Sequence, residues 1–222
     1  MEALKPETSF RTRLLARTWL SSRVFECILE RPEGFSFRPG QAIRLSLAGV
    51  ERDYSIASGP GEPGLRLCVK RIEGGALSPA LAALPIGGEM GFSGPRGFFF
   101  IRGSSRPRVL VATGTGVAPF RSMAETGLVG YTLLHGVREA GELFYRDRLE
   151  PGAARYVPCL SAGPGQAVAG GFAGRVGAWV EAHLERRAWD FYLCGHRGMI
   201  RDLSLLVDES FPGSRLFCEI FD

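Results

Sequence analysis

Near residue 108 the hydrophobic rhythm of the chain changes, and no other feature constrains its fold as strongly. Before that point, short apolar segments stand between glycine and proline turns. Their spacing predicts strands at Phe10–Ala16, Val24–Leu29, Gln41–Leu47, Asp53–Ser58, Leu65–Lys70 and Glu89–Ser93. Many short strands at this spacing suggest an antiparallel barrel or sandwich. One short helix interrupts them near Ser78–Ala83, with Ser78 as its N-cap and Pro79 in its first turn. Beyond residue 108, apolar strands are predicted at Val109–Thr113, Tyr131–His135, Tyr156–Leu160, Asp190–Cys194 and Leu216–Phe221. Helix-length segments alternate with them: one reaching Glu125, then Glu142–Leu149, Arg175–Arg186 and Met199–Val207. That alternation indicates a five-stranded parallel sheet covered on both faces. The polar stretch Gly103–Pro107 marks the boundary. The chain therefore reads as α+β in two domains, all-β over 1–103 and α/β over 104–222.

Composition removes several other classes. The 222 residues carry 45% hydrophobic side chains and a net charge of only +4, which excludes intrinsic disorder. The 30 glycines have no fixed period. No stretch approaches the roughly 20 apolar residues of a membrane span. The opening Met1-Glu-Ala-Leu-Lys-Pro6 lacks a basic segment followed by an apolar one, so a cytoplasmic protein is expected. Five cysteines stand apart, which argues against a disulfide framework, a zinc ribbon or an iron–sulfur cluster, and no metal site is expected. The histidines, His135, His183 and His196, form no metal motif and are given ordinary structural or surface roles. Basic charge is almost all arginine and does not cluster like a nucleic-acid arm, so no nucleic-acid partner is expected. Oligomeric state is not readable from these features.

Five segments carry candidate chemistry. Ala112-Thr-Gly-Thr-Gly-Val-Ala-Pro119 follows the first parallel strand and opens a helix. Its glycines allow a tight turn and a close ligand approach, and the unpaired N–H groups there suit a pyrophosphate. It is neither the usual dinucleotide fingerprint, since Pro119 stands at the third glycine position, nor a P-loop. Arg52-Asp-Tyr-Ser55 places an arginine and a tyrosine on one face of a strand, able to pair a phosphate and stack on a flat heterocycle. Lys70-Arg-Ile-Glu-Gly-Gly-Ala-Leu-Ser78 is a second possible phosphate cradle. Cys194-Gly195 ends a parallel strand, where open α/β sheets bind ligands. The terminus, Cys218-Glu-Ile-Phe-Asp222, ends the last strand with a carboxylate and an aromatic ring.

Taken in order, together with Gly94-Pro-Arg-Gly-Phe98, these segments resemble the ferredoxin–NADP reductase superfamily of flavoproteins over nearly the whole chain, most closely its compact bacterial members. The resemblance implies an N-terminal Greek-key flavin-binding β-barrel and a C-terminal doubly wound nucleotide-binding domain. It implies that Arg52 binds the flavin pyrophosphate, Tyr54 stacks on the flavin and Ser55 hydrogen-bonds near flavin N5. Lys70, Gly75, Ala76 and Ser78 fall in the second pyrophosphate contact, and Phe221 stands at the position of a ring-stacking aromatic. Thr113, Gly114, Thr115 and Gly116 match the nicotinamide-nucleotide loop, Arg138 stands near a possible 2′-phosphate, and Cys194 and Gly195 match the pair beside the nicotinamide. Glu219 matches a terminal active-site carboxylate, so Ser55, Cys194 and Glu219 are the expected catalytic group.

The chemistry implied is hydride transfer from nicotinamide C4 to flavin N5, then single electrons to a ferredoxin, flavodoxin or oxygenase partner. FAD is favoured over FMN by the Gly-Gly-x-x-Ser element. NADH or NADPH serves as substrate. The arginine that often follows Ser161 in NADPH users is replaced by Ala162, which inclines the reading to NADH, with Arg138, Arg146 and Arg175 as possible substitutes. Two alternatives stand beside this: a free-flavin reductase, and a non-catalytic flavin subunit of a larger complex.

Overall fold

The computed structural model describes residues 8–162 and 168–221. The opening Met1–Pro6 segment and the final Asp222 lie outside the described residues. Two compact units divide at Phe100/Ile101.

The first unit contains strands β1 (Ser9–Trp19), β2 (Val24–Glu30), β3 (Ala42–Leu47), β4 (Val50–Ser55) and β5 (Gly64–Lys70), helix α1 (Leu77–Ala83) and strand β6 (Glu89–Arg96). They form one antiparallel sheet in the order β4-β3-β6-β1-β2-β5. Its two ends approach each other where Ile56 bridges Leu67 and the Ala57 N–H donates to the Arg66 carbonyl, so the sheet curls as a barrel does. Inside lie Leu14, Phe25, Leu29, Ile43, Leu45, Ile56, Leu67 and Phe92, with Leu77 and Leu81 of α1 among them. The hairpin between β3 and β4 turns on Ala48 and Gly49, both at positive φ (51° and 75°). That is the backbone of a tight two-residue turn whose twist matches paired strands. It sets the register that places Arg52 opposite Leu45 and Tyr54 opposite Ile43.

Two local expectations are corrected here. The strand expected at Asp53–Ser58 runs from Val50 to Ser55 instead. Its start follows the Ala48-Gly49 turn, which lacks the usual Asn or Asp signal, and beyond Ser55 only the single Ile56 bridge continues the pairing. Ser78 is not the N-cap of α1. Ala76 occupies that place, and the Ser78 Oγ accepts the Ile72 N–H at 3.0 Å. The hydroxyl therefore closes the preceding loop rather than the helix end.

The second unit begins with β7 (Arg108–Thr113), a 3-10 turn over Gly114–Val117 and α2 (Ala118–Ala124). Then follow β8 (Tyr131–Val137), α3 (Arg146–Leu149), β9 (Ala153–Leu160), β10 (Phe172–Ala173), α4 (Val176–His183), β11 (Asp190–His196), α5 (Arg197–Ser210) and β12 (Arg215–Phe221). All strands are parallel, in the order β10-β9-β8-β7-β11-β12. The sheet has six strands, not five. The extra one, β10, is two residues long and pairs Phe172 with Cys159, too short to leave a periodic signal. One face of the sheet, with Val109, Val111, Leu134, Val157 and Leu193, packs on Val176, Trp179, Ile200, Leu203 and Val207 of α4 and α5. From β7 the chain proceeds outward through β8, β9 and β10, then returns to the other side of β7 with β11. The boundary between β7 and β11 is thus the point where strand order reverses, where open α/β sheets carry their ligand crevice. Among the described residues no helix is long and apolar enough to cross a membrane.

Candidate functional site

In the first unit the candidate groups are side chains on β4 and backbone on the loop after β5. Strand alternation puts Arg52 and Tyr54 on one face and Asp53 on the other. Asp53 receives Arg44 Nε and Nη2 at 2.8 and 2.9 Å and Arg96 Nη1 at 3.0 Å. Those arginines hold its carboxyl below the usual carboxylate value. Asp53 thus secures β4 to β3 and β6 while Arg52 stays exposed, its Nη1 donating only to the adjacent Glu51 carbonyl at 2.7 Å. The half-buried Tyr54 ring packs on the barrel core, and burial pushes its phenol up to about 12, so it stays protonated. Ser55 is buried at the strand end.

The loop from Lys70 to Ser78 is compact. Gly75 N–H donates to the Ile72 carbonyl at 3.0 Å, and a Cβ on Gly75 would stand 3.1 Å from that oxygen. Ser78 Oγ accepts from Ile72, which leaves its own proton to donate. Helix α1 packs against β3 and β4, so this loop and the Arg52–Tyr54 face share a neighbourhood. A guanidinium, a lysine (Lys70), a hydroxyl and a glycine-opened turn at Gly75-Ala76 suit phosphate groups, and an aromatic ring suits a flat heterocycle, so the set fits a flavin dinucleotide.

In the second unit the candidate groups are mostly bare backbone. Gly114 adopts φ +53°, a left-handed conformation at the first residue after β7. A Cβ on Gly116 would lie 2.3 Å from the Cys194 carbonyl oxygen and 2.8 Å from Gly195 Cα. A Cβ on Gly195, itself at φ +136°, would lie 2.2 Å from Thr113 Oγ1. The turn after β7 and the end of β11 therefore touch main chain to main chain at the strand-order reversal. Thr113 Oγ1 accepts the His196 N–H at 2.9 Å and ties the ends of β7 and β11 together. Such a close junction, open where Gly114, Gly116 and Gly195 carry no side chain, fits a dinucleotide pyrophosphate, which needs N–H groups at short range.

One register row runs across the sheet beneath this junction: Glu219, Cys194, Ala112, His135 and Pro158. Cys194 is fully buried. Burial, with the Glu219 and Cys218 charges adding to it, drives its thiol well above the ordinary value, so it is no thiolate nucleophile. Glu219 is half-buried beside it on β12. Arg138 stands exposed just beyond β8, with its N–H donating to Glu142 Oε2 at 3.0 Å. Phe221 ends β12 half-buried, in register with His196. The structure thus brings together Thr113, Gly114, Thr115, Gly116, Cys194, Gly195 and Glu219 in one unit, and Arg52, Tyr54, Ser55 and the Lys70–Ser78 loop in the other. His135, given an ordinary role above, lies in the same row as Cys194. Only register across three strands reveals it, because nothing in its local sequence does.

Residues 13–101 match the family model described as an oxidoreductase FAD-binding domain, and residues 110–204 the one described as an oxidoreductase NAD-binding domain. Ferredoxin–NADP reductase B of Sorangium cellulosum is 40% identical over 193 residues, covering 79% of this chain and 77% of that protein. The toluate 1,2-dioxygenase electron transfer component of Pseudomonas putida is 33% identical over 186 residues, 78% of this chain but 54% of that protein. The chain thus spans about half the length of that oxygenase component. Among solved structures, a cytochrome P450 reductase from Amycolatopsis matches with a TM-score of 0.85 at 27% identity, covering 97% of this chain and 70% of that one. A ferredoxin NADP+ reductase from Neisseria gonorrhoeae, with FAD and NADP bound, shares the fold with a TM-score of 0.81 at 23% identity, over 96% of this chain and 98% of that one. With its reversed-order parallel sheet and its curled antiparallel one, the chain belongs to the ferredoxin reductase-like family of NAD(P)H-dependent flavoprotein oxidoreductases, whose cofactor is FAD.

Proposed function

We propose that the chain takes hydride from NADH or NADPH and hands single electrons to a ferredoxin, a flavodoxin or an oxygenase component, with residues 1–103 holding FAD and 104–222 holding the nicotinamide nucleotide. The observation that carries this reading is the glycine junction of Gly116 with Cys194-Gly195 at the point where strand order reverses. FAD, when bound, accepts hydride from the nicotinamide and releases electrons one at a time. Arg52 pairs the flavin pyrophosphate, and Lys70 with the Gly75-Ala76-Ser78 turn supplies further donors to it. Tyr54 offers its neutral ring as a stacking surface, as does Phe221, and Ser55 donates near flavin N5. Gly114, Thr115 and Gly116 cradle the nucleotide pyrophosphate. Cys194, as a neutral thiol, and Gly195 shape the nicotinamide seat and keep water out. Glu219, next to Cys194, holds negative charge or a proton beside the reacting ring.

Of the arginines available for a 2′-phosphate, Arg146 is held in a two-point pair with Glu150 at 2.8 and 3.0 Å, whereas Arg138 and Arg175 are exposed. Ala162, where an arginine would follow Ser161, inclines the reading to NADH. Relatives named as a ferredoxin–NADP reductase and as an oxygenase electron-transfer component support the class of acceptor. The five cysteines are thiols, not disulfides, which suits the reducing cytoplasm, our proposed location.

Anaerobic titration of the purified FAD-loaded protein by NADH, and separately by NADPH, tests the reading through the flavin absorbance. Rapid bleaching by one nucleotide is expected. A flavin band that resists both overturns the reductase reading in favour of a non-catalytic subunit. Flavin that leaves the protein on each turnover favours a free-flavin reductase.

A further inference from the structure

The chain between β4 and β5 begins where Ser55 ends its strand, and its own sequence does little to hold it. Beyond Ser55 the pairing continues through the single Ile56–Leu67 bridge. Gly59-Pro-Gly-Glu-Pro63 then joins two conformationally free glycines to two prolines that offer no N–H. Ser58, within this stretch, is nevertheless fully buried.

One residue of β5, Arg66, grips the segment at several points. Its carbonyl accepts the Ala57 N–H at 2.7 Å, and its N–H donates to Ser58 Oγ at 3.1 Å. Its side-chain Nε and Nη2 donate to Glu62 Oε2 at 3.4 and 3.3 Å. The other Glu62 oxygen, Oε1, accepts the Gly59 N–H at 2.8 Å, and the Glu62 N–H donates back to the Gly59 carbonyl at 3.1 Å. Arg66 Nη1 pairs with Glu26, a buried carboxylate on β2. The guanidinium thus joins two carboxylates, one fixed in the β2–β5 ladder and one in the loop, as its planar fork allows. Without it, Glu26 and Glu62 would be two like charges across one gap, and their repulsion would push the loop away from β5.

We propose that Arg66 is a positioning residue for the hydride step: by clamping Ala57, Ser58 and, through Glu62, Gly59 to β5, it fixes the end of β4 that carries Ser55. This inference rests on Ser55 being the donor near flavin N5. A donor moved by a fraction of its bond length stabilises the reacting geometry less, so the clamp acts on rate rather than on retention of the flavin.

Stopped-flow reduction of the FAD-loaded protein by excess NADH or NADPH tests it, with Arg66→Met and Arg66→Lys each made in the parent and in Ser55→Ala. Arg66→Met should keep FAD and slow reduction by about three- to tenfold, no more than the loss of the Ser55 hydrogen bond itself. The nucleotide concentration giving half-maximal rate should stay unchanged. Arg66→Lys, which keeps the charge but not the fork, should fall between Arg66→Met and the parent. In the Ser55→Ala background either change should alter the rate by less than about twofold, because the group being positioned is gone. A merely structural role predicts the same slowing in both backgrounds, and that result overturns the proposal. So does Arg66→Met reduced at the parent rate while Ser55→Ala is slow, which removes the Arg66 role alone. Ser55→Ala at the parent rate overturns the reading of Ser55 and this inference with it, and a parent reduced by neither nucleotide overturns both along with the reductase reading. If Arg66→Met fails to hold FAD, Arg66→Lys in the two backgrounds decides by the same comparison.

Discussion

In the barrel unit the candidate ligand groups are side chains borne by a strand, Arg52, Tyr54 and Ser55, held in place by a tight hairpin and by Asp53 on the opposite face. In the α/β unit they are main-chain segments, and what matters is what is missing: a Cβ at Gly116 and a Cβ at Gly195. The first arrangement depends on charge and ring chemistry, and a substitution there removes a contact while the scaffold stands. The second depends on volume, and a substitution there deforms the backbone itself. Side-chain sites and backbone sites should therefore fail in different ways.

The largest effect is expected at Gly116. A side chain there collides with the Cys194 carbonyl, and backbone cannot yield as a flexible side chain does. Gly116→Val should abolish measurable nucleotide binding and lower stability by about 1–3 kcal/mol, as overpacking does. The barrel should still retain FAD. Calorimetry with ADP-ribose, thermal melting and flavin content check this, and loss of both ligands together would break the distinction between the units.

Arg52→Ala should do the reverse. Its guanidinium is exposed and makes only a local bond to the Glu51 carbonyl, so stability should change by no more than about 0.5 kcal/mol. FAD should be lost on purification while ADP-ribose still binds. A fully loaded Arg52→Ala protein would remove Arg52 from the flavin site.

Ser55→Ala sharpens the comparison within the barrel, separating positioning from retention. Hydride transfer should slow on the order of tenfold, one hydrogen bond's worth in the transition state, with flavin retained. Stopped-flow reduction by excess NAD(P)H measures it, and equal rates in variant and parent would leave Ser55 a structural hydroxyl.

The smallest effect on ligand binding is expected at Asp190. It sits at the start of β11, at the far end of the strand from Gly195, and accepts Arg215 Nε and Nη2 at 2.8 and 2.7 Å. Burial alone would raise its carboxyl, but hydrogen bonds from Arg215 and Ser104 and the nearby arginine charges outweigh that and hold it below its ordinary 3.8. A depressed folded pKa means the stabilisation is complete above about pH 4 and is lost as pH falls through the folded value. Asp190→Asn should therefore show a shallower loss of stability than the parent below pH 4, with ADP-ribose affinity at neutral pH unchanged. Urea melts across pH 2–7 would decide it, and identical acid slopes would exclude Asp190 as a source of the dependence.

Much of this was legible beforehand because it is local. The apolar runs at Val109–Thr113 and Tyr131–His135, and the glycines opening the turn after the first of them, mark parallel strands and a tight strand-to-helix turn by chemistry alone. Local signals misled where the answer lay elsewhere in space. Ser78 before Pro79 reads as a helix cap, yet its oxygen is engaged by Ile72 across a loop. Strand β10 exists only because Leu160 and Cys159 offer an edge to pair with. Strand β4 starts at Val50 because β3 folds back on it through a turn of unusual composition.

By itself the sequence determined the class of fold, its two-part organisation and the residue types able to hold phosphates and a flat ring, since hydrophobic period, turn chemistry and charge are properties of neighbours along the chain. Only the tertiary structure decided that Gly116 must lack a side chain because Cys194 lies against it, that Glu219, Cys194, Ala112 and His135 form one row, and that a histidine with no local motif is fully buried in that row. Those facts depend on which strand lies beside which. Strand order is settled by packing the whole sheet against its helices, not by any short stretch of residues.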